Sequence, residues 1–134
     1  MSLPQPMIVL VNDEDIVRHR ASAVLRTTGF AVRSYRHAGP ALADLTRLGA
    51  DLIILDWTNP PLHRLPLWRQ MRGAHPQLPV LYMSAHADEV AERLRAEPVP
   101  PVATVQLPCV FERTLVSTVT RCLALGAAGG ASLR

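Results

Sequence analysis

Short apolar runs alternate with amphipathic segments along the whole chain. Met7-Ile8-Val9-Leu10-Val11 is the first run, followed by residues 14 to 28, where Val17, Ala21, Val24, Leu25 and Thr28 recur at helical spacing and Gly29 closes the pattern. Phe30 to Tyr35 predicts a second strand, and Ala41, Leu42, Leu45 and Leu48 predict a helix that stops at Gly49. Residues 51 to 56 are a third strand-like run. A loop with Pro60 and Pro61 leads into a helix bearing Leu65, Trp68 and Met71, with Pro66 tolerable only in its first turn. Residues 79 to 84 and 102 to 107 predict the last two strands. Between them lies a short helix over about 88 to 97, cut off by Pro98, and after them Phe111, Leu115, Val119 and Cys122 mark a final helix. Strands alternating with helices of this length predict an α/β fold, with a parallel sheet covered on both faces by right-handed crossovers.

Several of these strands end in polar oxygens. Asn12-Asp13-Glu14-Asp15 follows the first run, Asp56 closes the third, and Ser84 closes the fourth. In an open parallel sheet the carboxyl edge is where ligands bind, so these residues are the candidate site.

At 134 residues, with 49% hydrophobic and 4% aromatic content, the chain suits one domain with an aliphatic core. The apolar runs are strand-sized, far short of the ~20 residues of a membrane span, and no signal pattern opens the chain. We read it as cytoplasmic, without a membrane partner. Residues 1–6, with two prolines, form a leader; 7–124 form the domain; the small-residue segment within 125–134 is a flexible tail or a linker to a further domain. Cys109 and Cys122 lack metal-type spacing and are reduced packing residues. The net charge of +3 is carried by fourteen scattered arginines, with no lysine. No recognition motif or aromatic interleaving accompanies them, which argues against direct nucleic-acid binding. His19, His37, His63 and His75 are too dispersed for a metal site, and Trp57 and Trp68 are packing residues.

Over about residues 7 to 124 the chain resembles the receiver domains of two-component response regulators. Val11-Asn12-Asp13-Glu14 stands where that family has its acidic pair, Asp56 with Pro60 matches the phosphoacceptor and its downstream proline, and Ser84-Ala85 matches the hydroxyl-small pair. Leu107-Pro108 falls at the usual lysine-proline. The resemblance implies a single doubly wound five-stranded parallel sheet of flavodoxin-like order 2-1-3-4-5, and a signalling module rather than an enzyme. It further implies a phosphoryl group accepted on Asp56 from a histidine kinase or phosphotransfer protein, with Ser84 donating its hydroxyl to a phosphoryl oxygen. Mg²⁺ would be held by Asp13, Asp56 and the Thr58 backbone carbonyl, with Asn12 acting through a water. The output domain or partner protein would meet the face made by the fourth helix, fifth strand and fifth helix, and a homodimer is possible. A cis Leu107-Pro108 bond is implied as well.

Three positions depart from the family pattern: Asn12 replaces an acid, Leu107 replaces the lysine, and Thr104 stands where an aromatic usually reports phosphorylation. Charge is conserved in the exchange, because three carboxylates with one ammonium and two carboxylates with no cation are both formally −2. The departures keep open a second reading, a pseudo-receiver regulated by binding alone. A one-residue slip would place Gln106 in the lysine slot, at the expense of strand alternation. His86 and Thr58, two residues past Ser84 and Asp56, would flank the phosphoryl group. Other classes fit less well: an aspartyl phosphohydrolase would want a second acid where Thr58 stands, and a flavin carrier would want a Ser/Thr/Gly phosphate loop in place of Asn12-Asp13-Glu14.

Overall fold

The computed structural model describes residues 5–56, 65–96 and 103–132. Trp57, Thr58, Pro60, Pro61, His63 and the segment Pro98 to Pro101 lie outside the described residues. Five strands, β1 (Met7–Val11), β2 (Ala31–Tyr35), β3 (Leu52–Asp56), β4 (Val80–Ser84) and β5 (Ala103–Gln106), form one parallel sheet in the order β2-β1-β3-β4-β5. The helices are α1 (Asp15–Thr28), α2 (Ala38–Leu48), α3 (Leu65–Ala74), α4 (Ala87–Leu94) and α5 (Val116–Ser132). This is the doubly wound α/β fold that the alternating pattern and the resemblance imply.

Alternation along the strands divides the core into two layers. Ile8, Leu10, Leu52, Ile54, Leu81, Met83 and Val105 face α1 and α5, meeting Ala21, Leu25, Leu115, Val119 and Cys122. Val9, Val11, Ile53, Leu55, Val80 and Tyr82 face the other way, against Ala41 and Leu45 of α2, Met71 of α3 and Val90 and Leu94 of α4. The two strands at the heart of the sheet, β3 and β4, are buried at every position. That is why each reads as a continuous apolar run rather than an alternating one.

Helix ends fall where backbone chemistry requires. Gly29 and Gly49 adopt φ of 114° and 63°, a region that disfavours side chains with a Cβ. Each closes its helix with a Schellman pair: Gly29 and Phe30 N–H donate to Arg26 and Leu25 carbonyls, and Gly49 and Ala50 N–H donate to Thr46 and Leu45. Pro66 falls in the first turn of α3, where its missing N–H is harmless.

Two boundaries differ from the sequence reading. The fourth helix ends at Leu94, three residues before the expected stop at 97. The last helix enters through a π-helical turn, Phe111–Leu115, then runs to Ser132 through the small-residue segment read as a tail. Ala124, Ala127 and Ala128 favour helix strongly enough to carry the pattern across the intervening glycines. Cys122 is buried in the core and Cys109 half-buried against it, both free, and burial pushes both thiols above their usual range. Among the described residues no helix is long and apolar enough to cross a membrane.

Candidate functional site

The carboxyl edge of the sheet brings the strand-end residues together. Leu10 of β1 pairs with Ile54 of β3, and Val11 with Leu55, so continuing the register sets Asn12 beside Asp56. Neighbouring parallel strands lie about 4.8 Å apart, and residues in register share a face. Asn12 is 1% exposed and Asp56 5%, an unusual depth for an amide and a carboxylate at the rim of a sheet. Asp13, the next residue, is exposed. Asp56 in turn pairs with Met83 of β4, and Ser84, 1% exposed, follows it.

Asn12 is held at almost every polar atom. Its backbone N–H donates to the Tyr35 carbonyl at 3.0 Å, its own carbonyl accepts from Arg18 Nη1 at 2.9 Å, and its side-chain Oδ1 accepts from the Glu14 N–H at 2.8 Å. The Oδ1 contact is an Asx turn that bends the chain from β1 into α1. Nδ2 is buried and, among the described residues, has no hydrogen-bond partner.

Arg18 was not legible as a site residue, yet it organises this corner. It is 7% exposed, and besides the Asn12 carbonyl it donates from Nη2 to Asp15 Oδ1 at 2.7 Å. Its placement on the buried face of α1 with Ala21 and Leu25 was the available clue, since an arginine among apolar helix positions needs local acceptors. The bond from Arg18, and then the charge of Arg36, hold the exposed Asp15 carboxyl below the usual carboxylate range. Asp15 is thereby occupied with arginine. The N-cap of α1 is Glu14, with no side-chain cap bond, so Asp13 does not serve to close the helix.

On the β4 side of the site, Ser84 Oγ accepts from the His86 N–H at 2.9 Å. The Ser84 carbonyl accepts from the Leu107 N–H at 2.8 Å. Leu107 packs against the core layer shared with α1 and α5, and its bond to Pro108 is cis, as the resemblance implies. Gln106 occupies the register position opposite Ser84. Its Oε1 accepts from the Ala87 N–H at 3.1 Å, and its Nε2 donates to the Ala85 and Leu107 carbonyls at 2.7 and 2.8 Å. The amide is thus spent on the turn before α4 and does not stand in a lysine slot.

Thr104 is the register partner of Tyr82, a residue 3% exposed in the layer beneath α4. The aromatic ring on that face therefore comes from β4 rather than β5. Thr58 lies outside the described residues, and His86 is exposed at the N-cap of α4. Among the described residues no group of three or more His, Cys, Asp and Glu side chains gathers as a metal cluster. Mg²⁺ is held by one or two carboxylates with waters completing its octahedron and needs no such cluster; Asp13 and Asp56 are the carboxylates that could supply them.

The sheet order is that of a doubly wound, flavodoxin-like α/β fold, here with a buried aspartate and a buried serine on adjacent strand ends. The family model of the response regulator receiver domain matches residues 8–98, and the chain belongs to that family, a signalling module of two-component response regulators. It is 34% identical over 88 residues to the transcriptional regulatory protein CreB of Escherichia coli, a match covering 66% of this chain and 38% of the relative. It is 32% identical over 88 residues to the transcriptional regulatory protein QseB of Haemophilus influenzae, covering 66% and 39%. The matches span about two fifths of the length of these curated relatives. Among solved structures, NtrX from Brucella abortus superposes with a TM-score of 0.81 at 25% identity, over 98% of this chain and 30% of that one. A CheY-like receiver domain protein from Methanospirillum hungatei JF-1 superposes with a TM-score of 0.78 at 16% identity, over 94% and 99%, a likeness of fold.

Proposed function

We propose that this receiver domain accepts a phosphoryl group on Asp56, with Mg²⁺, from the phosphohistidine of a kinase or phosphotransfer protein. The observation that carries the reading is the depth of Asp56: a carboxylate 5% exposed at the ligand-binding edge of the sheet, with Ser84, 1% exposed, at the end of the adjacent strand. An Asp56 carboxylate oxygen attacks phosphorus in line, the O–P bond forms as the N–P bond of the donor breaks, and the departing imidazole nitrogen keeps the electron pair. Asp13, Asp56 and the Thr58 backbone carbonyl would hold Mg²⁺, which when bound neutralises charge on the phosphoryl oxygens. Ser84 then donates its hydroxyl to one of those oxygens, and the β4–α4 turn moves with it.

The change of shape is read out through the α4–β5–α5 face, by an output domain or a partner protein. Thr104 cannot sweep the volume of an aromatic ring there, so the signal leaves through the β4–α4 turn rather than through a side-chain rotation on β5.

The test is a titration of the full chain with Mg²⁺ and then beryllium fluoride, followed by tryptophan emission, since Trp57 adjoins Asp56 in sequence. Saturable changes that vanish in Asp56→Asn are expected. A flat response, the same as that of Asp56→Asn, overturns the phosphoacceptor reading.

A further inference from the structure

We propose that Asn12 Nδ2 donates a hydrogen bond to an oxygen of the phosphoryl group on Asp56, supplying from β1 the anion contact that Leu107 cannot supply from β5. The inference rests on the phosphoacceptor reading of Asp56 and assigns one of its partners. Its basis is the distribution of hydrogen bonds around Asn12. The backbone N–H, the backbone carbonyl and Oδ1 are engaged by Tyr35, Arg18 and Glu14, which fixes the amide plane and leaves only the two N–H donors of Nδ2. Those donors are buried, and the register with β3 places them on the same face as Asp56.

The chemistry of the donor selects its partner. Water on Mg²⁺ has its lone pair directed at the metal and donates strongly, so it is a poor acceptor for Nδ2. Ser84 Oγ already accepts from the His86 N–H. An anionic oxygen bound at Asp56 is the acceptor that suits a neutral, buried N–H. An aspartate at position 12 would turn lone pairs toward the same place. The exchange of acid for amide and of lysine for leucine therefore moves the anion donor from one strand to another.

The experiment measures the dissociation constant of beryllium fluoride, at saturating Mg²⁺, for the full chain and for two variants. Asn12→Ser keeps an oxygen acceptor for the Glu14 N–H but is too short to reach the ligand. Asn12→Asp keeps both shape and acceptor but has no donor. Each variant is expected to bind beryllium fluoride about tenfold more weakly, as loss of a hydrogen bond to a charged group implies, while Mg²⁺ alone binds Asn12→Asp more tightly. In the unsubstituted chain the Asn12 side-chain NH₂ resonances are expected to shift when beryllium fluoride is added. Undiminished affinity in Asn12→Ser, or stationary Asn12 NH₂ resonances during saturation, overturns the inference and leaves the phosphoacceptor reading intact. Absence of beryllium fluoride binding to the unsubstituted chain overturns both.

Discussion

Gln106 closes over the head of α4, its Oε1 accepting from the Ala87 N–H while its Nε2 ties the Ala85 and Leu107 carbonyls. One exposed side chain thus fastens the turn that carries Ser84 to the end of β5. Gln106→Leu releases all three bonds. Each neutral bond contributes ~0.5–1.5 kcal/mol, and water replaces part of the loss at an exposed site. We expect about 1 kcal/mol lower stability and faster hydrogen exchange at Ala87, with exchange in β3 unchanged. An unaltered Ala87 rate would show that the turn is held by other means.

Arg18 is the second fastening, between α1 and the end of β1. Arg18→Met preserves much of the buried stem but leaves the Asn12 carbonyl without its donor, and an unsatisfied buried acceptor costs ~1–3 kcal/mol. A drop of about 2 kcal/mol in urea unfolding is expected, with the m-value unchanged. Stability equal to that of the unsubstituted chain would mean that the Arg18–Asn12 bond contributes nothing.

Acid sensitivity follows from Asp15. Arg18, and then Arg36, hold its carboxyl below the usual range in the folded chain. A depressed folded-state pKa contributes stability that is present above the unfolded-state value and is lost as pH falls through the folded-state one. The window therefore lies below about pH 4. Asp15→Asn should be slightly less stable near neutrality, lose less stability as pH falls through that window so that the two proteins converge in acid, and show a difference that shrinks at high salt because the carboxylate is exposed. An identical acid limb in the two proteins would contradict the assignment.

Leu107→Lys restores a cation to β5. An ammonium near 4 Å from a phosphoryl oxygen is worth up to ~4 kcal/mol at an effective dielectric of about 20, before desolvation reduces it. About tenfold tighter beryllium fluoride binding is expected, together with a loss of about 1 kcal/mol in stability, because Leu107 packs partly against the core. The gain should be larger in an Asn12→Ser background, where the native donor is missing. Equal gains in both backgrounds would show that positions 12 and 107 act independently.

Much of this architecture is visible in the chain itself. The apolar runs of β3 and β4 and the helix stops at Gly29 and Gly49 follow from local chemistry, so the elements are legible with boundaries a few residues adrift. Asn12, Asp56 and Ser84 are legible as strand ends, and their nearness follows from the sheet order. Arg18 and Gln106 are not, because each acts through backbone groups across a turn; the apolar neighbours of Arg18 on α1 imply that it needs acceptors but do not say which. The extent of the last helix is misread for another reason: alanine and glycine in one segment pull composition and propensity in opposite directions.

The central claim is that Asp56 is a working phosphoacceptor despite the company of Asn12 and Leu107. Intact-mass measurement of the full chain after incubation with acetyl phosphate and Mg²⁺ tests it most directly. The expected result is a gain of one phosphoryl group that is lost in base or hydroxylamine, is absent without Mg²⁺, and is absent in Asp56→Asn. An unchanged mass under all conditions, or the same gain in Asp56→Asn, would contradict it.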